Sequence, residues 1–159
     1  LQLNNYCATI ANGGTRYVPY LIEKIVSADF TKGVYTHEKE IAVETNISKE
    51  TLDTVKRGMY LVANEGSCAP YLGGLSSKVA CKTGTAEKTL VVDGNIVEGT
   101  DGFLIAFGPY ENPEIAITVV IENAGSGSAT AQVAADIFEY YFSATGSVPG
   151  IQPENSIIW

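Results

Sequence analysis

Three short apolar runs, residues 78–85, 103–107 and 115–122, follow one another in the second half of the chain, each too short for a helix and rich in β-forming residues. They predict three strands. Asn112-Pro113 breaks the second from the third, so these two are expected to turn back on each other. Between the first two, Leu90 to Val97 place Asp93-Gly94 amid β-formers, the signature of a hairpin turn, and predict a projecting β-ribbon. Helical stripes flank the strands. Leu1, Leu3, Tyr6, Cys7 and Ile10 recur at helical spacing and stop at Asn12-Gly13-Gly14, where left-handed residues end helices. Ser48 sits as an N-cap before the stripe Leu52, Val55, Met59 and Val62, which ends before Gly66. After Ser126-Gly127-Ser128 a last helix is expected over 131–142, with Val133, Ala134, Ile137 and Tyr141 on one face.

Together these elements predict an α+β fold, an antiparallel sheet packed with helices. From Tyr17 to about Ile47 the chain reads as a β-rich excursion, with short runs at 18–25, 33–35 and 41–43. Residues 71–77 read as a glycine-rich connection. Residues 1–145 are expected to form one domain portion and 146–159, with Pro149 and Pro153, an irregular tail.

Composition narrows the function classes. Of 159 residues, 45% are apolar, enough for one sizeable core, and 10 basic against 18 acidic residues leave a net charge of −8 that repels nucleic-acid backbones. No run approaches the roughly 20 apolar residues that a spanning helix needs. The first residue falls directly into a helical pattern with no capping residue ahead of it, so the chain reads as cut from something longer. Cys7, Cys68 and Cys81 form no CxxC pair and His37 is the single histidine, so neither a metal nor any other cofactor is expected. Cys68 and Cys81 have the option of pairing in an exported protein, but three small buried thiols are the favoured reading.

The stretch with most chemical content is Val79-Ala80-Cys81-Lys82-Thr83-Gly84-Thr85-Ala86-Glu87. It resembles the Lys-Thr-Gly strand of serine penicillin-binding proteins and β-lactamases. Class B penicillin-binding proteins are the nearer likeness, because a helix ending in Ala11-Asn12-Gly13-Gly14 precedes the motif and the strand pair around Pro109 follows it. The resemblance covers nearly the whole chain up to Phe142 and implies an incomplete β-lactamase/transpeptidase-like fold that lacks the N-terminal part of its domain.

By this resemblance, Lys82 supplies a cation to the cleft, and Thr83 and Thr85 offer hydroxyls to a substrate carboxylate. Gly84 lets substrate lie close to the strand, and the Thr85 backbone N–H serves as an oxyanion donor. Glu87 and Lys88 are read as solvated charge. The family also requires Ser-x-x-Lys and Ser-x-Asn, and neither pattern occurs in the 159 residues. Two lookalikes, Thr36-His37-Glu38-Lys39 and Tyr110-Glu111-Asn112, are read as loop residues. Gly125-Ser126-Gly127-Ser128 lacks a P-loop lysine and is read as a flexible N-cap.

The resemblance therefore implies part of a peptidoglycan D,D-transpeptidase that binds penicillin, works through a serine acyl-enzyme, and is inactive as this chain alone. It implies stem peptides, β-lactams, the missing N-terminal part and the cell-wall synthesis machinery as partners, and no nucleic acid. The implied location is the extracytoplasmic face of the membrane, anchored by a segment absent from this chain. Two rival readings are a class D β-lactamase or β-lactam sensor domain, and a non-catalytic structural module of the cell-wall machinery.

Overall fold

The computed structural model describes residues 1–92 and 94–147. Its centre is a three-stranded antiparallel sheet of β5 (Ala80–Val92), β6 (Asn95–Gly108) and β7 (Ile115–Ile121), with β6 in the middle. The first two strands are longer than the apolar runs suggest. Instead of a short sheet strand followed by a separate ribbon, β5 and β6 pair without interruption from Ala80↔Phe107 out to Val92↔Asn95. The hairpin expected from Asp93-Gly94 is thus the far end of the sheet's own two longest strands, and Gly94 has the positive φ that such a turn asks for. Asp93 lies outside the described residues.

Because side chains alternate along a strand, this sheet has two distinct faces. One carries Val79, Cys81, Leu104, Ala106, Ile117 and Val119, and is covered by α4 (Ala131–Ser147) through Ala131, Ala134, Ala135 and Phe138. The opposite face carries Ala80 and Phe107, covered by Cys7, Ile10 and Ala11 of α1 (Gln2–Ala11). Helix α2 (Lys49–Asn64) touches both clusters, Ala63 joining the first and Met59 the second.

Helix–sheet packing differs from the expectation at two stripes. Val133 and Ile137 are exposed; α4 turns its alanines and Phe138 inward at i, i+3, i+4 and i+7 instead. Small residues let the helix axis approach a sheet face already filled by Leu104, Ile117 and Val119, and one phenylalanine fills what remains. On α2, Leu52, Met59 and Ala63 are buried while Val55 is exposed. Ser48 does cap this helix, its hydroxyl accepting the Thr51 N–H at 3.2 Å.

Two further departures concern connections. The stretch read as a glycine-rich link begins with a short helix, α3 (Ala69–Leu72), with Pro70 in its first turn and Leu72 buried. Helix α4 runs through Gly146 and Ser147, which were expected to start the tail: one glycine weakens a helix without ending it, and the first residue that a following proline biases away from helix is Val148. The rest of that tail, 148–159, lies outside the described residues.

The β-rich excursion consists of two small antiparallel pairs, β1 (Thr15–Tyr17) with β4 (Ile41–Glu44) and β2 (Lys24–Val26) with β3 (Gly33–Thr36). Pro19 lies within the expected run 18–25, and only its end is strand. Asn12 links α1 to this excursion: its side chain accepts the N–H of Gly14 (3.2 Å) and of Thr15 (3.0 Å) and donates to the Thr15 carbonyl (2.7 Å). Gly14 has φ +111°, and a Cβ there would sit 2.5 Å from Thr45 Oγ1, so the Asn-Gly-Gly stop is required by geometry. Among the described residues no helix is long and apolar enough to cross a membrane.

Candidate active site

Lys82, Thr83, Gly84 and Thr85 lie together near the start of β5, an edge strand of the sheet. Alternation puts Lys82 and Gly84 on the α1 side and Thr83 and Thr85 on the α4 side. What the two sets share is the strand's outer margin, along which its backbone groups are exposed.

The direction of the backbone groups can be read from their partners. The Lys78 carbonyl accepts the Tyr110 N–H (2.7 Å) from the segment that follows β6, so it points toward the sheet. The Val79 carbonyl accepts the Asn64 side chain (2.9 Å) from α2, and the Thr83 carbonyl accepts the Lys82 ammonium. Both point outward. Backbone groups reverse direction at each residue of an antiparallel strand, so the Thr85 N–H, two residues beyond Thr83, also faces the open edge.

Gly84 meets little of its own molecule. A Cβ there would touch only the Phe103 Cβ, at an ordinary 3.5 Å, so the fold does not demand glycine at this position. Glycine leaves the strand surface bare of any side chain at this point.

The loop before α4 differs from its reading as a flexible cap. Ser126 makes no side-chain cap bond; the loop and the 3-10 turn Gly127–Thr130 are instead laid on the strand pair at Thr85. The Gly127 N–H donates to Thr85 Oγ1 at 3.0 Å, and buried Thr130 donates its hydroxyl hydrogen to the Gly127 carbonyl. Two glycines make this approach possible. A Cβ on Gly127 would lie 2.4 Å from the Gly84 oxygen, and one on Gly102, the cross-strand neighbour of Thr85, 2.8 Å from the Ser126 oxygen. The sequence signal was the run of Gly and Ser itself, with no pattern to show which strand it would touch.

Other charges nearby are partly engaged. Lys88 pairs with Asp101 of β6, which also accepts the Asn123 N–H at 3.0 Å, so the reading of Lys88 as free solvated charge does not hold. The ion pair and then the Asn123 N–H hold the Asp101 carboxyl below the usual carboxylate range. Glu87 is exposed, as read.

The three thiols are free and buried. Burial pushes Cys7 up to about 12, and Cys81 is raised by its hydrogen bond to Cys68 and then by burial. Cys68, the other partner of that hydrogen bond, is shifted the opposite way, downward, but all three thiols are 0% exposed and so closed to a ligand from solvent. Among the described residues no group of three or more His, Cys, Asp or Glu side chains is placed to hold a metal ion.

Both lookalikes stand apart from this edge. Thr36 ends β3, in a separate two-stranded sheet, and His37 stacks on Tyr20 at 3.9 Å. Tyr110 lies in the turn between β6 and β7, its ring packed on Tyr60 at 4.8 Å.

Comparison with known proteins finds relatives of this chain by sequence and by fold. The sequence profile of the penicillin binding protein transpeptidase domain matches residues 1–139. Penicillin-binding protein 2A of Bacillus subtilis is 35% identical over 128 residues, covering 76% of this chain and 18% of that protein. The peptidoglycan D,D-transpeptidase MrdA of Haemophilus influenzae is 28% identical over 156 residues, 90% of this chain and 23% of that protein. Among solved structures, penicillin-binding protein 2B of Streptococcus pneumoniae superposes with a TM-score of 0.78 and 28% identity, over 93% of this chain and 25% of that one. The chain thus spans about a fifth of the length of the relatives it matches, and by profile, identity and fold it belongs to the penicillin-binding protein transpeptidase domain family.

Proposed function

We propose that this chain is the C-terminal part of a peptidoglycan D,D-transpeptidase and forms one wall of its penicillin-binding cleft. The observation that carries the reading is the edge of β5, where the Lys82 ammonium lies on the outward Thr83 carbonyl and the Thr85 N–H faces the same way, beside a glycine that the fold itself does not need. The nucleophilic serine and its lysine belong to the upstream part of the domain, since neither motif occurs in these residues.

In the complete cleft, the stem peptide lies along β5 with its terminal carboxylate toward Lys82 and the threonine hydroxyls. The serine oxygen attacks the penultimate D-Ala carbonyl, and the developing oxyanion takes a hydrogen bond from the Thr85 N–H. The terminal D-Ala leaves as the free amine, and an amine from a neighbouring stem peptide displaces the serine from the acyl-enzyme. A β-lactam follows the first half of this course, with its ring amide in place of the scissile bond. The chain alone is inert. Its partners are stem peptides, β-lactams, the upstream part of the protein and the cell-wall machinery, at the extracytoplasmic face of a membrane to which a segment outside this chain anchors it.

The test is covalent labelling with a fluorescent penicillin. The protein extended upstream through the rest of its domain takes the label, and Lys82→Ala lowers the labelling rate by about a hundredfold, as expected for loss of a cationic partner in the transition state. Equal labelling of Lys82→Ala and wild type would refute the role of this edge. An extended protein that takes no label would favour the non-catalytic module.

A further inference from the structure

The Thr85 hydroxyl is not a free rotor. Its oxygen accepts the Gly127 N–H at 3.0 Å, so one acceptor site is occupied and the hydroxyl hydrogen is turned away from that contact. Gly127 is held on its other side, where the buried Thr130 hydroxyl donates to its carbonyl oxygen. Thr130 is fully buried, and its side chain rests on the sheet over Gly102, the glycine paired with Thr85. The two peptide planes flanking Gly127 are therefore fixed from opposite directions, one by Thr130 and one by Thr85.

We infer that Thr130 and Gly127 form a positioning relay that presets the Thr85 hydroxyl as a hydrogen-bond donor toward the substrate carboxylate. The inference rests on the reading of β5 as the carboxylate-binding edge. Neither Thr130 nor Gly127 touches substrate. A hydroxyl that rotates freely offers a carboxylate its lone pairs as readily as its hydrogen, and must be reoriented on binding. One whose lone pair is already taken by a backbone N–H presents the hydrogen. The burial of Thr130 gives the relay its rigidity, because removing its hydroxyl would leave the Gly127 carbonyl without that partner at a site packed against the sheet.

The experiment compares a penicillin bearing its free carboxylate with its methyl ester, by acylation rate of the extended protein. Thr85→Val should lose roughly 10- to 100-fold on the free acid, and Thr130→Val about 3- to 10-fold, with little change on the ester for either. In the double variant Thr85→Val/Thr130→Val, the loss should equal that of Thr85→Val alone, because the relay has nothing left to position. Thr130→Ser keeps the hydroxyl and should keep the acid-to-ester ratio. Should Thr130→Val not fold, Thr130→Ala replaces it, read against Thr130→Ser: both lose the methyl group and only Ala loses the hydroxyl.

Equal losses of Thr130→Val on acid and ester, or losses that multiply in the double variant, would overturn the relay while leaving the site reading intact; equal losses of Thr85→Val on the two compounds would refute the carboxylate role of Thr85 itself. An extended wild type acylated by neither compound would refute the site reading and the relay with it.

Discussion

Two glycines at the candidate site predict opposite outcomes when each is replaced by alanine. At Gly127 the new Cβ would stand 2.4 Å from the Gly84 oxygen and 3.0 Å from its carbonyl carbon, both backbone atoms of a paired strand that cannot swing aside. The loop must lift, which lengthens the Gly127 N–H to Thr85 contact. Overpacking of this kind costs about 1–3 kcal/mol, or roughly 3–10 °C in Tm for a domain of this size. At Gly84 the Cβ meets only the Phe103 Cβ at 3.5 Å, an ordinary contact, so Gly84→Ala should leave Tm within about 2 °C. Yet the methyl group enters the space where a ligand lies against β5, so penicillin acylation should fall by at least about tenfold. Thermal unfolding and acylation rates of the extended protein, measured on both variants, separate the two effects. A Gly84→Ala protein that unfolds early but reacts normally, or a Gly127→Ala protein with unchanged Tm, would refute the reasoning.

Two other predictions follow from charge and exposure. Asp101 has a carboxyl pKa lowered in the folded state, so its ion pair with Lys88 contributes stability above the unfolded carboxyl range near pH 4 and loses it as pH falls through the lower folded value. The Tm advantage of wild type over Asp101→Asn should accordingly be constant at neutral pH and disappear in acid; a difference that persists unchanged to about pH 2 would contradict the assignment. The isolated chain exposes Leu1 ahead of α1, Leu3 and Tyr6 on it and the run Tyr20, Leu21, Ile22 beyond it, with Leu21 98% exposed, besides the edges of β5 and β7, which pair with no further strand among the described residues. It should self-associate at micromolar concentration, and a clean monomer in sedimentation would count against this.

The sheet and its order were legible because turn chemistry is local: Asp93-Gly94, Asn112-Pro113 and Asn12-Gly13-Gly14 each mark a reversal or stop that the structure makes. The strand lengths were not, because Glu87-Lys88-Thr89 on one strand and Glu98-Gly99-Thr100 on the other are polar or small and carry no apolar pattern to join the sheet strands to the hairpin tip. The faces of α2 and α4 were read in part: Leu52, Met59 and Ala134 are buried as expected, but weighing side-chain bulk put Val55, Val133 and Ile137 in place of Ala63, Ala131 and Ala135. At the site, the motif residues were visible as a tetrad on one strand. Their support was not, because Thr130 lies 45 positions after Thr85 and only the fold brings them together. Alternation along β5 also divides the tetrad between two faces, so the edge, rather than either face, is what its residues share.

The measurement that most directly tests the central claim is intact-mass analysis after incubation with a reactive penicillin, run in parallel on this chain and on the protein extended upstream through the rest of its domain. A single penicilloyl adduct on the extended protein and none on this chain is the predicted result, placing the nucleophile upstream and the Lys82–Thr85 edge opposite it. An adduct on this chain alone, or on neither form, would contradict the account.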